Sequence, residues 1–132
     1  MKLGLQIVLG VLSLIPLAFA VMGLWFGAAY FLPAGEVPAP LDNQLRYLSG
    51  VYLLVSLLLW WAIPHVERHG RLLGFICLAL VVGGIGRAIS WLTLGPGDPG
   101  QIVGMGIELG SPLLLLWQRA IAVRDPAPPP RA

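Results

Sequence analysis

The chain has 132 residues, 58% of them hydrophobic and 11% charged, with a formal net charge of +2. A soluble domain carries roughly 25% charged residues, so this composition, with a mean hydropathy of +0.85, argues against a soluble globule and for a membrane protein. The charge is too small to form a basic stripe for nucleic acid. The single cysteine, Cys77, excludes an internal disulfide. At this length there is room for one bundle and no separate soluble domain.

A bilayer core of ~30 Å needs about 20 mostly apolar residues in a helix. The first such segment covers residues 3–32. Lys2, an apolar run and then Ala18-Phe19-Ala20 resemble a cleavable signal. The run continues to Leu32, however, and its removal would leave three spans, so the segment reads as a retained helix. Pro16 lies near its middle and removes one backbone hydrogen bond, which predicts a kink. Pro33, Gly35, Pro38 and Pro40 end it in a tight connection.

The second span covers residues 41–63 and stops at Pro64. His65-Val66-Glu67-Arg68-His69 then places two histidines four apart, but Glu67 is not where a zinc-protease motif needs it. The stretch reads as a solvated loop with no metal. The third span, residues 71–94, contains Gly83-Gly84-Ile85-Gly86. With no preceding strand and no lysine this is not a phosphate loop. The turn Gly95-Pro96-Gly97-Asp98-Pro99-Gly100 leads to a fourth span, residues 100–122, and residues 125–132 form an extended, proline-rich tail. The expected fold is all-α: an antiparallel bundle of four transmembrane helices over residues 1–124. Glycines spaced by four, Gly23/Gly27, Gly100/Gly104 and Gly106/Gly110, predict close helix packing within that bundle.

Orientation follows from the loop charges. Lys2, Arg68, Arg71, Arg119, Arg124 and Arg131 fall on one side of the four-span arrangement, and Glu36, Asp42 and Asp98 on the other. Both termini are therefore expected in the cytoplasm. The aromatic residues agree, with Trp25, Tyr30, Tyr47 and Trp91 near the outer interface and Trp60, Trp61 and Trp117 near the inner one.

Charge inside hydrocarbon is costly and marks a candidate site. Three residues qualify: Arg46, Arg87 and Glu108. Counted from the inner basic residues at ~1.5 Å per residue, they stand about 28, 24 and 16 Å up. Helical side chains lean toward their own N-terminus, so Arg87 and Glu108, on antiparallel helices, lean toward each other. They are expected to pair, while Arg46 snorkels outward beside Asp42. Pro112 lacks an N–H and is expected to leave the Glu108 carbonyl without its helical donor. Polar residues share these faces, and a ligand-binding set of Arg46, Arg87, Glu108, Ser90, Asn43, Tyr47 and Tyr52 would line a polar pocket in the outer half of the bundle. With both histidines in a loop, no catalytic triad or paired-carboxylate set can be assembled in the membrane. The chain is expected to be no enzyme and to need no cofactor.

The segment from Leu41-Asp42-Asn43-Gln44-Leu45-Arg46 through Tyr47-Leu48-Ser49-Gly50-Val51-Tyr52, then Gly86-Arg87-Ala88-Ile89-Ser90 and Glu108-Leu109-Gly110-Ser111-Pro112, resembles a bacterial family of four-helix membrane proteins catalogued as domain of unknown function 4345. The architecture is also similar to the broader DoxX-like group. The resemblance implies the fold and a bacterial inner-membrane location, and it supplies no substrate or site residue. The functional expectation is a module that binds or transports a small amphipathic ligand. Its rival is a non-catalytic accessory subunit whose Arg–Glu pair fixes helix packing. A proton-coupled exporter is weaker: the small four-helix multidrug family carries its membrane glutamate in the first helix, and residues 3–32 hold no charge.

Overall fold

The computed structural model describes residues 1–32 and 35–124; the expected proline-rich tail lies outside the described residues. Helix α1 (Lys2–Phe26) continues into a 3-10 turn, Gly27–Tyr30. It is followed by α2 (Ala39–Ala62), a short 3-10 turn at Ile63–His65, α3 (Gly70–Leu94), α4 (Pro99–Gly110) and α5 (Pro112–Arg124). Among the described residues there is no strand. Four segments are long and apolar enough to cross a membrane: Lys2–Tyr30, Ala39–His65, Gly70–Leu94 and Pro99–Val123. They are compatible with a four-helix membrane bundle. Only 11 to 22% of each span's most apolar stretch is buried by protein. Large apolar side chains such as Phe75, Leu92 and Val103 point outward, as they should where lipid is the solvent.

The chain divides into two compact units. In the first, Gln6–Pro64, α1 and α2 form an antiparallel hairpin. Its register runs from Gln6 beside Ile63, through Ser13 beside Ser56 and Phe19 beside Tyr52, to Ala28 beside Asp42. The helices touch where the side chains are small: a Cβ at Gly23 would overlap the Ser49 hydroxyl. Fully buried Ser13 accepts from Trp60 Nε1 at 2.7 Å and donates to the Gly10 carbonyl at 2.6 Å. Gln6 Nε2 donates to the carbonyls of Ile63 and Pro64, at 2.9 and 3.3 Å. It thereby satisfies acceptors that a helix C-terminus leaves open.

The second unit joins Met1–Leu5 to the chain from His65 onward. Here α3 runs antiparallel to α4 and α5, with Gly70 beside Gln118, Cys77 beside Ser111 and Arg87 beside Glu108. Asp98 caps α4 by accepting the Gln101 N–H at 3.1 Å, and Pro99 takes the first helical position, where its missing N–H costs nothing. Gly95 ends α3 at φ +96, a conformation that favours glycine.

Several expectations need correction. The α-helix expected over residues 3–32 ends at Phe26, because Gly27 turns the chain at φ +62. The fourth span is two helices broken at Ser111. The Glu108 carbonyl is not orphaned by Pro112, since the Ser111 N–H closes onto it at 3.3 Å in a tighter turn. Close packing at Gly104, Gly106 and Gly110 is absent: a Cβ at any of them would meet nothing within 4 Å. The contact glycines of α3 are Gly70, where a Cβ would come within 2.7 Å of Gln118, and Gly84, where it would come within 2.9 Å of Leu109.

Candidate functional site

Of the three membrane charges, two meet in the second unit. Arg87 lies two turns before the end of α3 and Glu108 near the end of α4. The Arg87 Nε–H sits between both carboxylate oxygens, 3.1 Å from Oε1 and 2.9 Å from Oε2. Glu108 is 8% exposed, and buried Gly84 gives it room, since a Cβ there would lie 3.2 Å from that of Glu108. The carboxylate is therefore enclosed and the guanidinium, with 35% of its side chain exposed, is not.

The open side of Arg87 faces a cleft of about 270 Å³ between the ends of α3 and α4. Ser90, Trp91, Gln101, Ile102 and Met105 line it with Arg87. Gln101 folds over Gly97, where any Cβ would overlap its amide oxygen. The cleft thus combines a fixed cation, an amide and a hydroxyl with an indole and aliphatic walls. Chemically it suits a molecule with an anionic or carbonyl head and an apolar body.

The other expected site residues belong to the first unit. Arg46 donates from Nε to Asp42 Oδ2 at 2.8 Å and from Nη1 to the Leu24 carbonyl at 2.5 Å. The second Asp42 oxygen accepts the Ala28 N–H at 2.8 Å. Together they fasten the Gly27 turn and give its backbone the partners that an interrupted helix lacks. The expected Asp42–Arg46 pair is present, and its two backbone partners tie it to the Gly27 turn. Asn43 and Tyr47 are exposed, and the Tyr52 ring packs on Phe19 with centroids 4.8 Å apart.

The segment after Pro64, expected as a solvated loop, is a structured cluster. Val66 is 1% exposed. Gln118 Nε2 donates to the Val66 and Glu67 carbonyls, both at 3.1 Å. The Glu67 carboxylate takes Lys2 at 2.9 Å, with His65 and Arg68 each at 3.9 Å. Burial pushes the Glu67 pKa up, but the hydrogen bond from Lys2, a backbone hydrogen bond and the nearby positive charges outweigh it and hold the carboxyl below its ordinary value. Sequence reasoning missed Gln6, Ser13 and Gln118. Each is an uncharged polar residue within or at the start of an apolar span, and that was the available signal.

A family model described as a domain of unknown function (DUF4345) matches residues 4–118. No curated protein and no solved structure matches the chain.

Proposed function

The chain belongs to the DUF4345 family, and we propose that it is a non-catalytic inner-membrane module that binds a small amphipathic ligand in the Arg87 cleft. The carrying observation is the asymmetry of the ion pair: Glu108 is enclosed, while Arg87, held by Nε, opens onto a cleft lined by Ser90, Gln101 and Trp91. A guanidinium so fixed is preorganised to receive an anionic or carbonyl group. Trp91, Ile102 and Met105 would take the apolar body. Glu108 sets the orientation of the cation and would not touch the ligand.

The test is thermal unfolding of the purified protein with a panel of quinones, fatty acids and uncharged alkanes. A ligand that binds the folded state raises Tm with its concentration. Quinones or fatty acids are expected to do so, and alkanes of equal length are not. Ser90→Leu and Gln101→Leu, which fill the cleft without touching the pair, should abolish the shift. A panel without any shift, or shifts that survive both variants, would refute the binding reading. The second reading, an accessory subunit whose pair fixes helix packing, is favoured by the burial of Glu108. It predicts that cleft-filling variants keep full cellular activity.

A further inference from the structure

Among the described residues, two arginines of the second unit have no ion pair. Among the described residues Lys2, Arg46, Arg68 and Arg87 each have a carboxylate within 4.0 Å, whereas Arg71 and Arg119 have none. Arg71 opens α3, Arg119 lies toward the end of α5, and both are exposed. Between them runs a groove of about 480 Å³. Gly74 keeps its α3 wall low, and Leu78 and Leu115 make the part farther from the arginines apolar. A Cβ at Gly74 would find only Leu115 nearby, at 3.9 Å, so the space above this glycine is open.

The groove is cationic at one end and apolar at the other, and its axis follows the helices. We propose that it holds one anionic phospholipid, with the phosphate between Arg71 and Arg119 and an acyl chain laid over Gly74, Leu78 and Leu115. Guanidinium groups bind phosphate oxygens in paired, charge-assisted hydrogen bonds. The end of α3 adds to the field: its first turn holds no acidic residue, so no carboxylate there offsets the positive end of the helix dipole. Basic pockets between transmembrane helices on the cytoplasmic side have the chemistry for such headgroups, and the loop charges place these arginines on that side. A free phosphate would satisfy the arginines and leave the apolar half of the groove without a use. The site is remote in sequence from the Arg87 cleft and shares no residue with it, so each stands or falls alone.

The full-length protein, purified in a neutral detergent, is titrated with phosphatidylglycerol, with phosphatidylcholine of the same acyl chains, or with inorganic phosphate. Thermal unfolding and native mass spectrometry follow binding. Phosphatidylglycerol is expected to raise Tm and to remain on the protein at one copy, and the other two are expected to do neither. At roughly fivefold per basic residue, the Arg71→Gln/Arg119→Gln protein should bind it about 25-fold more weakly. Arg68→Gln removes a neighbouring charge outside the groove and should leave affinity unchanged. Gly74→Leu keeps both arginines and fills the chain seat, so it should also release the lipid. Equal stabilisation by phosphatidylcholine would overturn the proposal, as would an equal effect of phosphate alone. So would equal losses in the Arg68 variant and the double variant, since bulk charge would then explain everything. If the double arginine variant does not fold, the headgroup comparison on the natural sequence and the Gly74 variant decide.

Discussion

Arg87 and Glu108 show how far side-chain geometry can be carried from spacing alone. On α3 and α4, running in opposite directions, each side chain leans toward its own N-terminus, which turns a difference in height into contact. The 2.9 Å separation is the result. Breaking a buried pair costs on the order of 3–5 kcal/mol, whereas replacing both partners can be neutral. With 35% of the Arg87 side chain exposed the lower end applies. A carboxylic acid stranded in apolar surroundings can take up a proton and become neutral, but a guanidinium cannot lose its charge. Glu108→Leu should therefore lower Tm more than Arg87→Leu, and the double replacement should recover most of the loss. Additive losses would show that the two residues are not coupled. If the double variant folds yet fails to restore a deletion phenotype, Arg87 does more than hold a helix. Glu67 is a second case at this scale. Its lowered pKa means that its contribution to stability is complete above the ordinary glutamate range, near pH 4.3, and is lost as pH falls through the lowered value. Glu67→Gln should lower Tm at pH 7 and flatten the acid limb of the stability profile. A profile unchanged below pH 5 would mean that the Lys2 contact contributes nothing.

At the scale of elements, the Gly27 turn and the Gly84 contact decide where helices end and how closely they pack. Gly27 holds φ +62, and a Cβ there would overlap the Asp42 carboxylate, so strain and collision coincide. The left-handed conformation alone costs a residue with a side chain about 1–2 kcal/mol. Gly27→Ala should destabilise by at least that much, and Asp42→Asn, which weakens the link to Arg46 and keeps the glycine, should cost less. Equal effects would place the whole role of Gly27 in the Asp42 contact. The four spans were legible in the sequence because length, hydropathy and proline breaks all report one requirement, a helix that crosses hydrocarbon. The Asp42–Arg46 and Arg87–Glu108 pairs were legible too, since charge in that setting must be answered. Spacing did not show which glycines touch a neighbour. A four-residue repeat gives the face of a helix, not what stands opposite, so Gly104, Gly106 and Gly110 misled, whereas Gly23 and Gly27 make the expected contacts and Gly70 and Gly84 make others that spacing did not show. Nor did it show that Arg46 would be shared with the Leu24 carbonyl, because that acceptor exists only once Gly27 interrupts α1.

At the scale of the whole molecule, the remaining question is which side of the membrane each end faces. Within the second unit, Lys2 reaches Glu67 at 2.9 Å, and Gln118 holds the Val66 and Glu67 carbonyls. The start of α1, the segment before α3 and the last turns of α5 therefore gather at one level, as an even number of crossings requires. Lys2, Arg68, Arg71 and Arg119 stand at or beside that level. Glu36 lies in the connection between α1 and α2 and Asp98 in that between α3 and α4, while Arg46 is paired with Asp42 and Arg87 with Glu108. Lysine and arginine in short loops are retained on the cytoplasmic side, so both termini should be cytoplasmic and the Gly97 turn external. A phosphatase that is active only outside the cytoplasm should work when inserted at Gly97 and stay silent when fused after Arg124. A fluorescent protein that matures only inside should behave in reverse. Moving positive charge tests the cause: Arg68→Gln with Arg71→Gln, combined with Glu36→Arg and Asp98→Arg, should produce a mixed population reporting both orientations. A uniform cytoplasmic C-terminus after that exchange would mean that helix packing, not loop charge, sets the topology. Phosphatase activity at the natural C-terminus would reverse the orientation assigned to every charged residue, and it would move the groove between Arg71 and Arg119 to the outer leaflet.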